Sequence, residues 1–174
     1  MKLTKMFRAF ATALCCLLAL ISCRQGPDAA SGPLAPVDVK VVDHLVAVLG
    51  HESCVLELVD PASGEKVKSI RLAQPPNGMA VDGATAYVAE GGPRGAVEVV
   101  DLESGALKRS FPAGHTPMSP VVRGEKLYVA CRFDSRVLEM DAATGTVLDS
   151  WNVPREPVAP VSYTHLTLPT ILRV

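Results

Sequence analysis

Three aspartates recur at nearly constant spacing and are the first place to look for chemistry. Asp60, Asp101 and Asp141 lie 41 and 40 residues apart, and each is followed four positions later by a glycine: Asp60-Pro61-Ala62-Ser63-Gly64, Asp101-Leu102-Glu103-Ser104-Gly105 and Asp141-Ala142-Ala143-Thr144-Gly145. Carboxylates at a fixed interval can gather a cation, but an EF-hand calcium loop needs several more oxygen ligands at alternate positions, and these are absent. A carboxylate that opens a short turn does something else, accepting hydrogen bonds from backbone N–H groups just ahead of it. The glycine at the far end supplies the positive φ that a three- to five-residue hairpin needs. Asp60, Gly64, Asp101, Gly105, Asp141 and Gly145 therefore read as structural turns. The other reactive groups form no constellation. His44, His51 and His115 are scattered. There is no Gly-x-Ser-x-Gly elbow, phosphate loop or His-Glu-x-x-His, and no CxxC, CxxCH or zinc spacing. No catalytic, metal-binding or cofactor-binding residue is assigned, and any cofactor is unknown.

The elements that position these turns repeat with them. Each turn follows an apolar run (55–59, 96–100, 136–140) and precedes a second strand-like run (66–72, 107–111, 147–151). A strand before each pair starts at residues 45, 86 and 127, and a last one follows at 78–81, 118–122 and 158–161. Residues 38–42 offer one more strand, expected at the outer edge of a sheet completed elsewhere. Four short strands per period of about 40 residues, apolar on both faces, predict an all-β fold of sheets stacked on neighbours on both sides. This is a partial β-propeller with about three four-stranded blades. A β-sandwich is the rival, but it has no need to repeat one four-strand grammar.

Composition sets the surroundings. The chain has 174 residues and a net charge of −1, so no basic field points to nucleic acid. Lys2, Lys5 and Arg8 precede an apolar run at 9–21, a pattern that suits a secretory signal peptide and is short for a membrane span. Leu20-Ile21-Ser22-Cys23 resembles a bacterial lipobox. In that resemblance Cys23 is lipidated, becomes the new N-terminus and ties the chain to a membrane. An ordinary signal peptide with a chance cysteine is the alternative. Arg24 follows, and the lack of Asp there permits outer-membrane sorting by resemblance to enterobacterial lipoproteins. The expected location is the periplasm or cell surface. Residues 23–36, rich in Gly, Pro, Ala and Ser, read as a flexible tether. Cys54 and Cys131 fall at non-equivalent positions nearly two periods apart, too far for a disulfide, and are expected as two buried free thiols.

The repeats carry a family likeness. Ala86-Tyr87-Val88-Ala89-Glu90, Val97-Glu98-Val99-Val100-Asp101, Ser104-Gly105 and Pro117 resemble the YVTN-type repeat of YncE-like β-propellers. Leu127-Tyr128-Val129-Ala130 with 137–145 matches as well, while Val46-Ala47-Val48 departs most and the family's Asn is missing from all three copies. The repeats span about 45–83, 84–124 and 125–161 within a domain at 37–161. The resemblance implies blades of a seven-bladed ring. Residues 162–174 follow no blade pattern and resemble a translated sequencing-adapter end; a genuine terminal strand is the alternative. Three blades cannot close a ring, so the chain is expected to be a fragment. It would carry raw sheet edges and an uncovered blade face, and residues 24–174 are expected to be poorly soluble or oligomeric.

Positions that differ between equivalent loops are free to bind. The connectors ahead of the shared Pro76, Pro117 and Pro157 carry Gln74, His115, Thr116, Arg155 and Glu156, which are the candidate ligand-rim residues. A second varied set is Glu90, Arg94, Arg132, Asp134 and Arg136, in the loops after the first strand. The default reading of both sets is solvated loop residues, because loops vary without purpose. The leading functional expectation is a lipid-anchored cell-envelope module that binds or scaffolds an unknown protein or small molecule without catalysis. The alternatives implied by the resemblance are part of a lactonase-like or quinone-dependent dehydrogenase-like enzyme, or of a propeller fused to a c-type cytochrome domain.

Overall fold

A computed structural model describes residues 33–161. They form twelve strands and three four-stranded antiparallel sheets. Sheet 1 runs β1 (Pro36–Val42), β2 (Leu45–Gly50), β3 (Val55–Val59), β4 (Lys66–Arg71). Sheet 2 runs β5 (Pro76–Asp82), β6 (Thr85–Glu90), β7 (Ala96–Asp101), β8 (Leu107–Pro112). Sheet 3 runs β9 (Pro117–Arg123), β10 (Lys126–Cys131), β11 (Arg136–Asp141), β12 (Val147–Asn152). In each sheet the spatial order follows the chain, and β1, β5 and β9 are edge strands that lie next to one another. No described helix is long and apolar enough to cross a membrane.

The hairpin turns have one geometry. The Asp60 carboxylate accepts from Ala62 N at 2.8 Å, Asp101 from Ser104 N at 2.8 Å, and Asp141 from Ala143 N at 3.0 Å and Thr144 N at 2.7 Å. Gly64, Gly105 and Gly145 each donate to the carbonyl of the opening aspartate at 2.8 Å, with φ of 73°, 77° and 73°. That is the left-handed region where a side chain is strained. A bulge just before the turn recurs in every sheet, at Leu58/Val59, Val99/Val100 and Glu139/Met140. These bonds hold all three aspartates below the usual carboxylate range. Backbone N–H donation leads at Asp60 and Asp141, and the Lys108 ammonium, 2.5 Å away, leads at Asp101.

Alternation along the strands fills two cores. Between sheets 1 and 2, Leu49, Leu56 and Ile70 meet Met79, Val88 and Val100. Between sheets 2 and 3, Tyr87, Val97 and Phe111 meet Leu127, Val129 and Met140. In β6, Ala86 and Val88 belong to the first core and Tyr87 to the second, so one strand serves both faces. This is why its residues are almost all buried and apolar rather than alternating with polar ones.

The period divides between sheets at a different point from the sequence reading. The strand at 78–81 pairs with β6, as part of β5, and 118–122 pairs with β10 as part of β9. The sequence units at 45–83 and 84–124 thus take three strands of one sheet and the first strand of the next. Residues 38–42 lie in β1, on the edge that meets β5, and not at the expected outer edge. Long-range pairing decides this: Pro76 sits opposite Glu90, whereas its nearer neighbour β4 is already the last strand of sheet 1. Residues 158–161 are in no strand. Leu34 and Ala35, placed in the tether by composition, are stitched to sheet 1, since their carbonyls accept from Ser53 Oγ at 3.4 Å and His51 N at 3.0 Å. The expectations for residues 1–32 and 162–174, Cys23 included, fall outside the described residues.

Both described cysteines are free thiols; Cys131 is buried, but Cys54 is only half-buried, against the expectation of two buried thiols. Cys54 holds φ of 52° in the loop after β2, where its thiol donates to His51 O at 3.6 Å. Cys131 donates to Ala113 O at 2.9 Å, and burial pushes its thiol up to about 11. At pH 8 roughly one Cys131 in a thousand is thiolate, the reactive form. Brief treatment of the folded full chain with iodoacetamide at pH 8 should label Cys54 and spare Cys131, as read by peptide mass mapping. Equal labelling would contradict this packing.

Candidate functional site

One rim of the sheets is made by the connectors between them and the loops after β2, β6 and β10. Each connector is tied to neighbouring loops by backbone bonds: Leu72 N to Cys54 O, Ala113 N to Gly95 O and Val153 N to Ser135 O, all at 2.9 Å. A second set joins Gly91 N to Pro75 O at 3.0 Å and Arg132 N to Thr116 O at 3.1 Å. The rim candidates sit on this belt. His115 and Thr116 lie between sheets 2 and 3, and Arg155 and Glu156 follow β12. Thr116 and Glu156, at equivalent positions, hold φ of 52° and 57°. For β-branched Thr116 that backbone is unusual and is kept only because the surrounding bonds over-determine it.

The two varied residue sets merge here. The Asp134 carboxylate accepts from His115 N at 3.0 Å and from Arg136 at 3.1 Å. The His115 amide is the first cause that holds Asp134 below the usual carboxylate range. The Arg132 guanidinium pairs with Glu156 at 2.8 Å and lies 5.3 Å from the centre of the Phe133 ring. The His115 ring also meets Phe133, at 5.0 Å between ring centres. Phe133 is nevertheless 53% exposed. The result is an aromatic side chain held by a cation and an imidazole, with both carboxylates engaged at its flanks. Sequence comparison of the loops found all of these residues except Phe133.

Gln74 stands apart, on the connector between sheets 1 and 2. Its backbone N–H points at Glu90 Oε2, 3.4 Å away. Glu90 is no loop residue. It ends β6, is 1% exposed, and shares a buried site with Glu98 of β7, which is 5% exposed. Register puts Glu90 opposite Ala96 and Glu98 opposite Val88, so the two side chains are diagonal neighbours on the face toward sheet 1. Burial, then the Glu98 charge, pushes Glu90 up to about 7; burial raises Glu98 too. A protonated Glu90 donating to an ionised Glu98 satisfies both directions, and Glu98 Oε2 is left without a partner. This pair is buried on the face of sheet 2 that packs toward sheet 1, so it bears on stability. Arg94 is exposed on the loop after β6 and outside the Phe133 cluster. Among the described residues no three His, Cys, Asp or Glu side chains are grouped to hold a metal ion.

Comparison with solved structures identifies the architecture. Hydrazine synthase of Kuenenia stuttgartiensis is similar at a TM-score of 0.68 and 19% identity, over 78% of this chain and 41% of that one. Apo AztD of Citrobacter koseri is similar at 0.57 and 20%, over 71% and 35%. BamB of Moraxella catarrhalis is similar at 0.59 and 16%, over 72% and 37%. The chain is all-β and propeller-like, and spans about two fifths of the length of the structures it resembles. At such identities the likeness carries fold alone, and an enzyme stands among the neighbours beside proteins of other kinds. No protein-family model and no curated protein matches the chain.

Proposed function

We infer that this protein is a binding module that presents the Phe133 cluster to a partner at the cell envelope. The observation that carries the reading is an exposed aromatic ring fixed by Arg132 and His115 on a hydrogen-bonded rim. Aromatic and arginine side chains are the groups that dominate protein interfaces. Here they are already positioned, which lowers the ordering cost of binding. The YVTN-like repeats and the lipobox resemblance at Cys23 support an exported, lipid-anchored propeller, with the rim facing soluble partners.

Two measurements test it. Photo-activated cross-linking from a benzoylphenylalanine at position 133, in cells that make the full chain, should give a discrete adduct that is lost with Arg132→Ala. The same probe at Val67, exposed on β4, should not give it. A rim probe that yields only what the Val67 probe yields ends the binding reading. Cys23→Ala should move the chain out of the membrane fraction, and retention there would end the anchoring reading.

A further inference from the structure

The chain builds the same crevice between sheets twice and fills it with an aromatic ring only once. In sheet 2 the register sets Tyr87 of β6, Val99 of β7 and Arg109 of β8 side by side. Tyr87 is buried in the core against sheet 3, and its phenol feels the charges of Asp82, Arg109 and Asp141. The same row in sheet 1 reads Ala47, Leu58 and Lys68. The ring is missing from the first crevice, and Leu58 in place of Val99 returns one methylene.

A cavity of about 370 Å³ lies among the counterparts of the groups around Tyr87. Val42 stands where Asp82 does, Lys68 where Arg109 does, and Leu102 follows Asp101 as Ala142 follows Asp141. Leu45 and Val67, in place of Thr85 and Lys108, extend the apolar wall. Positions that are polar or small in the second crevice are thus apolar in the first. The volume is near the lower end for small-molecule sites, about 300–1,000 Å³, and apolar cavities of about 150 Å³ already take up benzene.

The polar groups narrow the occupant. The Lys68 ammonium gives two of its three donors to the carbonyls of Leu102, at 3.2 Å, and Glu103. The third serves an oxygen on a bound ring. Asp43, His44 and Glu103 are exposed at the mouth. The two carboxylates there disfavour an anionic ligand, and a protein docking over the mouth would have to strip water from all three side chains.

We propose that the crevice between sheets 1 and 2 is a binding site for a free small phenol, whose ring takes the place that Tyr87 holds in the second crevice and whose hydroxyl accepts from Lys68.

The test titrates the full chain, labelled at its Leu and Val methyls, with p-cresol, toluene and N-acetyltyrosinamide. With p-cresol the methyls of Leu45, Leu58 and Leu102 should show saturable shifts in the NMR spectrum, while Val97 and Val129, in the core of the second crevice, stay put. Toluene cannot accept from Lys68 and should bind about tenfold more weakly, a difference that Lys68→Met should remove. N-acetyltyrosinamide should bind more weakly than p-cresol. Ala47→Tyr with Leu58→Val copies the row of sheet 2 and should abolish p-cresol binding; the Lys68→Met comparison does not depend on that variant folding. The site is overturned by the absence of saturable shifts at these methyls, by equal movement at Val97 and Val129, or by p-cresol binding that persists in a folded A47Y/L58V chain. Toluene binding as tight as that of p-cresol, or a difference that survives K68M, overturns the role of the hydroxyl and with it the phenol. Tighter binding of N-acetyltyrosinamide overturns the free molecule in favour of a partner's tyrosine.

Discussion

Glu90→Gln should make this protein more stable at pH 8 by about 3 kcal/mol, and leave it unchanged near pH 4.5. The sign follows from which state holds the proton. Glu90 titrates near 7 in the folded chain and near 4.5 when unfolded, so between those values the folded state binds more protons. Stability is then highest on the acid side of the window, falls as pH rises from about 4.5 to about 7, and is flat above it. Glu98, also raised by burial, adds in the same direction. A glutamine removes the ionisation from both states. Its oxygen still accepts from Gln74 N, and its NH2 can donate to Glu98 Oε2, which now lacks a partner. Asp60, Asp101, Asp134 and Asp141 do not confuse the measurement. Their folded values are depressed, so what they contribute is fully present above the ordinary carboxylate range and is lost only in more acid solution. Urea unfolding of wild type and E90Q at pH 5 and pH 8 decides it. A wild type whose midpoint rises with pH across this window, or an E90Q chain weaker than wild type at pH 8, would sink the shared-proton reading.

The turns were legible in sequence because their physics is local. Asp141 bonds residues two and three positions ahead, and a composition of Asp, Ser or Thr and Gly at fixed offsets encodes that without reference to the rest of the chain. Strand identity was legible for the same reason, through runs of Val and Leu between turns. What escaped depends on partners far away in sequence. Nothing in Gly78-Met79-Ala80-Val81 says that it pairs forward with β6 and not backward with β4; that choice is made by β4 already closing sheet 1. Glu90 reads as the polar end of a strand entering a loop, and only the approach of sheet 1 and the Gln74 connector shows it to be buried. The rim was half visible. Comparing equivalent loops isolated His115, Arg132, Asp134, Arg136 and Glu156, because they vary where the scaffold does not. A lone phenylalanine in a loop has no spacing to betray it, so Phe133 emerged only when Arg132 and His115 were found against its ring.

The three turn glycines, identical by sequence pattern, should differ widely in what they tolerate, and this is the sharpest test of how the sheets stack. Alanine at Gly64, Gly105 or Gly145 meets the same backbone, with φ of 73°, 77° and 73°, and so the same strain of about 1–2 kcal/mol. At Gly64 the added methyl enters open space. At Gly105 it comes 3.3 Å from Lys68 Cδ, the stem of a flexible side chain that can move aside. At Gly145 it would overlap the ring of Phe111, which is buried in the core between sheets 2 and 3 and has no room to withdraw. Overpacking of that kind costs a further 1–3 kcal/mol or so. The expected order of destabilisation is therefore Gly64→Ala, then Gly105→Ala, then Gly145→Ala, with the last at about 2–5 kcal/mol. Adding Phe111→Ala should bring the cost of G145A back to that of G64A, a coupling of about 2 kcal/mol between residues that touch. Equal costs at all three glycines would mean that Phe111 does not lie over the Gly145 turn, and that sheets 2 and 3 do not meet as described.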